Sequence, residues 1–333
     1  MLTIEQVENA VTCEDIFVNN EIKTKSLYKE FAKKYHPDVY REKDLTDLFS
    51  KLNTMYEDAL SKIEKGIWVE KDVLVLDRVD GKKFKFKYLR DYSFELGKFY
   101  IGRNHIIYVL NKDKKKYYDN ALRILDGLHY ANSQMEKEFK RYFPEIEAKY
   151  ELKDGCFCLV IKKTPDMFLL DDLNKFYKSN GKCLDSKHCA WIISRLNNLT
   201  CFLKYNNLVH NGLSLTNILV SPKEHNLYVF GGWWYCVPVD EKMIGTQKSI
   251  FDLMPVKEKA EKIATFKTDI ESIRAIGRAI NKEVPKPMLE WLEKGSSDDA
   301  FKEFDGWTKA LLDSFGERKF IPLNISEKDI YKK

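Results

Sequence analysis

The chain has 333 residues, enough for two or three domains, and is 44% apolar and 32% charged with a formal net charge of +5. Near-cancelling charge does not mark a general nucleic-acid binder, and there is no 18-residue apolar run to suggest a membrane helix. The polar start "MLTIEQVENA" is not a secretory leader, and the seven scattered cysteines lack two pairs at zinc-ligand spacing, so a cytoplasmic protein with reduced thiols is expected.

Residues 3–18 place Ile4, Val7, Val11, Ile16 and Phe17 at helical spacing, which predicts a first helix. A second helix is predicted over 22–35, with Leu27, Phe31 and Tyr35 on one stripe and Lys25, Lys29 and Lys33 on another. Pro37 cannot sit inside a helix and biases His36 towards an extended backbone, so a loop is expected at His36-Pro37-Asp38. A third helix, about 45–64, carries Leu48, Leu52, Met55, Tyr56, Ala59, Leu60 and Ile63 and ends near Lys65-Gly66. The texture then changes. "DVLVLDRVDGKKFKFKYLRD" alternates apolar and polar residues around Asp80-Gly81 and predicts a hairpin. "KFYIGRNHIIYVLNKD" predicts two more strands, and the run Lys112–Lys116 an exposed turn between strands. "NALRILDGLHYANSQMEKEFKRYF" predicts a helix, and "YELKDGCFCLVIKKT" another strand pair. From Ser186 the pattern is helical, apart from strands within 217–237. The fold class expected is α+β: a small all-α unit, then a β-rich lobe and a helical lobe.

Segment 1–65 resembles a J domain, the module of DnaJ-type co-chaperones. "YKEFAKKYHPD" matches its second helix and His-Pro-Asp loop, and "FSKLNTMYEDAL" its third helix. The first helix departs from the pattern, with "EDIFVNN" where a tyrosine and Leu-Gly are usual. The resemblance implies that Lys23, Lys25, Lys29, Lys33 and Lys34 form a basic docking face for a DnaK-type ATPase chaperone. It also implies that His36, Pro37 and Asp38 stimulate that chaperone's ATP hydrolysis. A positive face steers an acidic partner surface. Nucleic acid is not expected there, because no aromatic stacking platform accompanies the lysines.

Residues 66–333 resemble a protein kinase, with an N-lobe of about 68–163 and a C-lobe of about 164–325. "HNGLSLTN" has the frame H-R-D-L-x-x-x-N, with His210 first and Asn217 last. "FKTDIESIRAIGRAI" resembles the kinase helix that begins with a buried aspartate, here Asp269. The closing segment resembles bacterial and phage kinase-like proteins. The chemistry departs from the family. Phosphoryl transfer needs a carboxylate near the hydroxyl, a carboxylate on magnesium and a lysine on the phosphates. The first falls at Gly212; the second falls among Phe230, Gly231 and Gly232; "YYDNALRIL", taken as the lysine-bearing strand, offers Asp119, Asn120 and Arg123. "LGKFYIGRNH" has only Gly97 and Gly102 for a phosphate loop. Asn217 alone is a weak magnesium ligand. His210 fits a core histidine, and Trp233, Trp234 and Tyr235 fit packing between the lobes. A pseudokinase is therefore expected, with no catalytic residue, metal or cofactor, and with residual ATP binding left open. The whole reads as a non-catalytic co-chaperone with a DnaK-type chaperone and an unidentified client as partners and no membrane. The alternatives are an atypical ATP-using transferase of the kinase fold and an adaptor whose J domain is inactive.

Overall fold

The structure is a computed structural model and describes residues 2–36, 40, 44–68, 71–317 and 321–331. Contacts divide it into two units, Met1–Val75 with Phe84–Tyr88 and Leu76–Lys83 with Leu89–Lys333.

In the first unit, helix α1 (Ile4–Asn9) opens with a capping box made by Thr3 and Gln6. It stops at Asn9, so the single helix expected over 3–18 is broken. The cause is Asp15, whose carboxylate accepts from the backbone N–H groups of Val11 and Thr12 at 2.8 and 2.9 Å. A side chain that takes these donors competes with helix continuation. Val11, expected on the apolar face, is 83% exposed, and a 3-10 turn, Cys13–Asp15, follows. Helices α2 (Glu21–Tyr35) and α3 (Thr46–Glu64) follow the expected pattern. Val7, Phe31, Phe49, Leu52 and Ala59 are buried in a common core. Tyr28 stacks on Tyr56 at 4.2 Å and donates its hydroxyl to Asn53 Oδ1 at 2.7 Å. Strands β1 (Val73–Asp77) and β2 (Lys83–Lys87) form a two-stranded sheet that contributes residues to both units. Its turn is closed at Gly81, in the left-handed region at φ 82°.

The second unit contains a five-stranded antiparallel sheet: β3 (Arg90–Phe94), β4 (Gly97–Ile101), β5 (His105–Leu110), β6 (Ile146–Glu151) and β7 (Phe157–Lys162), in the order β3-β4-β5-β7-β6. Between β5 and β6 the chain forms α4 (Lys115–Asp126) and α5 (Ser133–Phe139). The one helix expected across this region is thus two, separated where Gly127 ends α4 and Asn132 caps α5. The Lys112–Lys116 run leads from a strand into α4, not between strands, because Tyr118, Ala121 and Ile124 bury one helical face.

The helical lobe then follows: β8 (Phe168–Leu169), α6 (Leu170–Ser179), α7 (Ser186–Tyr205), β9 (Leu208–Val209), β10 (Ile218–Ser221), β11 (Asn226–Val229), β12 (Val237–Pro238), α8 (Lys248–Leu253), α9 (Val256–Glu261), α10 (Phe266–Ile280), α11 (Lys286–Glu293), α12 (Ala300–Phe315) and α13 (Glu327–Ile330). Strand β10 pairs with β11 on one side and β8 on the other. Helix α7 is the axis of this lobe, with Ile192, Ile193, Leu199 and Leu203 fully buried. Among the described residues no helix is long and apolar enough to cross a membrane.

Candidate functional site

Two places carry the residues singled out by sequence, one in each unit. In the first unit, Lys23, Lys25, Lys29, Lys33 and Lys34 are all exposed on α2. Lys25 pairs with Glu21 at 2.5 Å, and Lys34 Nζ lies 4.7 Å from the ring centre of Tyr35. Helix α2 ends at His36, whose N–H donates to Ala32 O at 3.0 Å and whose φ and ψ are −56° and 135°. That is the conformation a following proline imposes. The exposed His36 ring meets Phe49 edge-on at 5.3 Å. Pro37 and Asp38 lie outside the described residues. Also in this unit, Cys13, Glu14 and Asp58 bring possible metal-ligand atoms within 4.8 Å of one another. Lys62 Nζ fills that cluster, 2.9 Å from Glu14, 2.8 Å from Asp58 and 3.5 Å from the Cys13 sulfur. An ammonium ion already supplies the positive charge there.

In the second unit, the loop after β9 runs His210-Asn211-Gly212 and closes at the 3-10 turn Leu215–Asn217. Asp269, on the first turn of α10, holds this loop from below. Its carboxylate accepts from the N–H groups of His210 and Asn211 at 2.8 and 2.9 Å. Asp269 is fully buried, and desolvation pushes its carboxyl up to about 7 against the two donors. His210 is fully buried too, and burial lowers its imidazole to about 3, so it is neutral. Its Nδ1 accepts from the Gly212 N–H at 3.2 Å, and its ring stands edge-on to Trp233 at 4.6 Å. Asn217 Nδ2 donates to Gly212 O at 2.8 Å and to Gln247 Oε1 at 3.2 Å. Its backbone carbonyl accepts from Phe230 and Gly231. The amide is committed to holding the loop.

The glycines explain why no carboxylate could enter. A Cβ on Gly212 would lie 2.8 Å from both the Cα and the carbonyl oxygen of Gly232. A Cβ on Gly232, at φ 84°, would lie 2.6 Å from His210 Cε1 and 2.7 Å from Gly212 O. A Cβ on Gly231 would meet Asn217 Oδ1 at 2.6 Å and run into the Tyr108 hydroxyl. Real Cβ atoms do not approach other atoms this closely, so the Gly212 position is closed by the Gly232 main chain, and the Gly231 and Gly232 positions by the side chains of Tyr108, Asn217 and His210 together with the Gly212 carbonyl.

The expected lysine-bearing strand needs correction. "YYDNALRIL" is in helix α4; the third strand of the five-stranded sheet is β5, "HIIYVL", which has no lysine. Tyr108 on β5 packs its ring on Phe230 and Trp234 of the helical lobe instead. It lies 4.6 Å from Trp234, 5.8 Å from Phe230, 5.2 Å from Phe99 and 5.5 Å from Phe94. Phe99, Tyr108, Phe230 and Trp234 are 0–3% exposed, and burial pushes the Tyr108 phenol well above its ordinary value. Gly97 and Gly102 of "LGKFYIGRNH" stand at opposite ends of β4 and make no phosphate loop; the β3–β4 connection is the two-residue turn Glu95-Leu96. Asn120 on α4 donates to the carbonyls of Trp234 and Cys236 at 3.2 and 2.8 Å, and Arg123 donates to Asn120 Oδ1 at 2.7 Å. These two residues tie α4 to the segment after the glycines. Sequence reasoning missed Tyr108 because a tyrosine inside an apolar strand gives no sign of which lobe its ring will pack against.

No family model matches the chain, and no curated protein sequence matches it. Among solved structures, a crystal structure of the BubR1 kinase domain superposes with a TM-score of 0.51 at 10% identity, covering 69% of this chain and 80% of that one. The antiparallel sheet order, the aspartate-held loop of the helical lobe and this superposition together establish that the chain contains a protein-kinase-like fold.

Proposed function

We propose that this protein is a non-catalytic co-chaperone. The first unit acts as a J domain that docks on a DnaK-type ATPase chaperone through Lys23, Lys25, Lys29, Lys33 and Lys34. The loop that begins at His36 triggers ATP hydrolysis by that partner. The kinase-like unit binds a client or a dedicated partner and transfers no phosphoryl group. The observation that carries the second half is the contact of Gly212 with Gly232, which leaves no space for a catalytic acid. The aromatic packing of Tyr108 from the sheet on Phe230 and Trp234 of the helical lobe supports it. The first half is supported by five exposed lysines on one short helix that ends at an exposed histidine. A positive face of this kind serves mainly to orient and accelerate encounter with an acidic surface.

The test is the steady-state ATPase of purified DnaK-type chaperones with and without the full chain. Stimulation that disappears in His36→Gln supports the proposal. No stimulation of any such chaperone sinks it. A chain that binds the chaperone equally well with His36→Gln, and without stimulation, would instead be an adaptor. Transfer of label from ATP to protein by the wild type would establish a transferase.

A further inference from the structure

The last described helix, α13, sits on the second unit through two groups four residues apart. Glu327 Oε1 lies 3.1 Å from Lys163 Nζ. That ammonium, whose side chain is fully buried, also donates to the carbonyls of Arg103, Thr164 and Met167 at 2.9, 3.0 and 3.0 Å. At the other end, the Tyr331 hydroxyl accepts from the Leu169 N–H at 3.0 Å. Around the Tyr331 ring, Arg90 lies 5.5 Å from its centre and pairs with the buried Asp172 carboxylate at 3.4 Å. Tyr92 donates to the same carboxylate. Arg90 and Tyr92 belong to β3 of the sheet; Leu169 and Asp172 lie at the start of α6 in the helical lobe. Tyr331 thus touches both lobes at once.

The groups that receive the helix are also braced by the rest of the unit. Lys163 is held by the Arg103 carbonyl of the β4–β5 turn and by the Thr164 and Met167 carbonyls of its own connection, and Asp172 by Arg90 and Tyr92. What α13 adds is one carboxylate and one phenol on a single helical turn. A helix this short has little stability of its own, so its docking rests on these contacts and on burial of Ile330 and Tyr331, 8% and 6% exposed. We propose that this surface is a peptide-recognition site for a short helix carrying an acid and, four residues later, a tyrosine, and that the chain's own Glu327–Tyr331 occupies it in cis. A partner segment with the same acid-to-tyrosine spacing would displace it. The site is where the partner-binding role of the kinase-like unit resides, and so rests on that reading; its test uses no chaperone, so its failure and that of the co-chaperone reading can be told apart.

The probe is a fluorescent synthetic peptide of residues 322–331, PLNISEKDIY. The Glu327→Ala/Tyr331→Ala chain, its own helix released, is expected to bind this peptide at least tenfold more tightly than wild type does. Adding Lys163→Met is expected to abolish the gain, and a peptide with the tyrosine replaced by alanine is expected not to bind. Equal binding to wild type and variant, or binding indifferent to Lys163→Met, overturns the proposal. A second measurement needs no variant: hydrogen exchange of the wild-type chain with excess unlabelled peptide. Faster exchange across 326–331 is expected as the peptide displaces the helix, and unchanged exchange at saturating peptide overturns the proposal even if the variants misfold.

Discussion

At the scale of single residues, the decisive positions are glycines whose absent side chains are required. Gly212→Asp would restore the acid of the kinase frame in sequence but not in space, because Gly232 backbone already fills the place of its Cβ. Overpacking of a rigid site costs about 1–3 kcal/mol. The expected outcome is a lower denaturation midpoint by chemical unfolding, with no phosphoryl transfer gained. Asp269 offers a second test. Its carboxyl titrates at about 7 in the folded protein against 3.8 for the ordinary group. A raised folded value means that the native state holds a proton the unfolded chain has released, so this contribution is full below pH 3.8 and fades as pH rises through about 7. Asp269→Asn cannot titrate and can accept only through one oxygen. At pH 4, where the wild-type group is protonated, it should be less stable than wild type, by about 1–3 kcal/mol for a backbone N–H left facing the amide NH2. Its stability should also lack the decline that wild type shows between about pH 4 and pH 7. Thermal melts across that range read the difference.

At the scale of elements, long periodic stretches were legible and local competitions were not. Helices α2 and α3 follow from their apolar spacing, and the loop frame from His210 to Asn217 follows from residue type at fixed intervals. The role of Asn217 in holding the loop was not visible, because it depends on where Gly212 O and Gln247 lie in space. The break after Asn9 was hidden because apolar periodicity continues through Val11 and Ile16 while Asp15 captures the backbone donors. "YYDNALRIL" has a short apolar pattern compatible with strand or helix, and only burial of Tyr118, Ala121 and Ile124 on one face decides for helix. The exposed lysines of α2 belong to this scale. Reversing Lys29 and Lys33 to glutamate removes four units of charge difference from one helix face. It should weaken chaperone binding about tenfold or more at low ionic strength, and by less at high salt, where exposed charges are screened. Surface-immobilised chaperone titrated at two salt concentrations tests this. The fold of α2 should be untouched, since neither side chain is buried.

At the scale of the molecule, the second unit has a kinase-like fold and packs aromatic side chains between its sheet and its helical lobe. Sheet, aspartate-held loop and helical lobe persist, while the space between them is occupied by Phe94, Phe99, Tyr108, Phe230 and Trp234. A ligand present at 100 times its dissociation constant stabilises a protein by about 2.7 kcal/mol. Millimolar ATP with magnesium should therefore leave the melting temperature unchanged within about 1 °C, where micromolar binding would raise it visibly. On the proposed co-chaperone reading, the chemical action of the protein resides in what the first unit does to another protein's ATP. The most direct measurement is the ATPase rate of a DnaK-type chaperone titrated with the wild-type chain, with His36→Gln and with Gly212→Asp. Saturable stimulation by wild type and by the Gly212 variant, with none by His36→Gln, is the predicted result. Stimulation that survives His36→Gln, or that never occurs, would contradict the account.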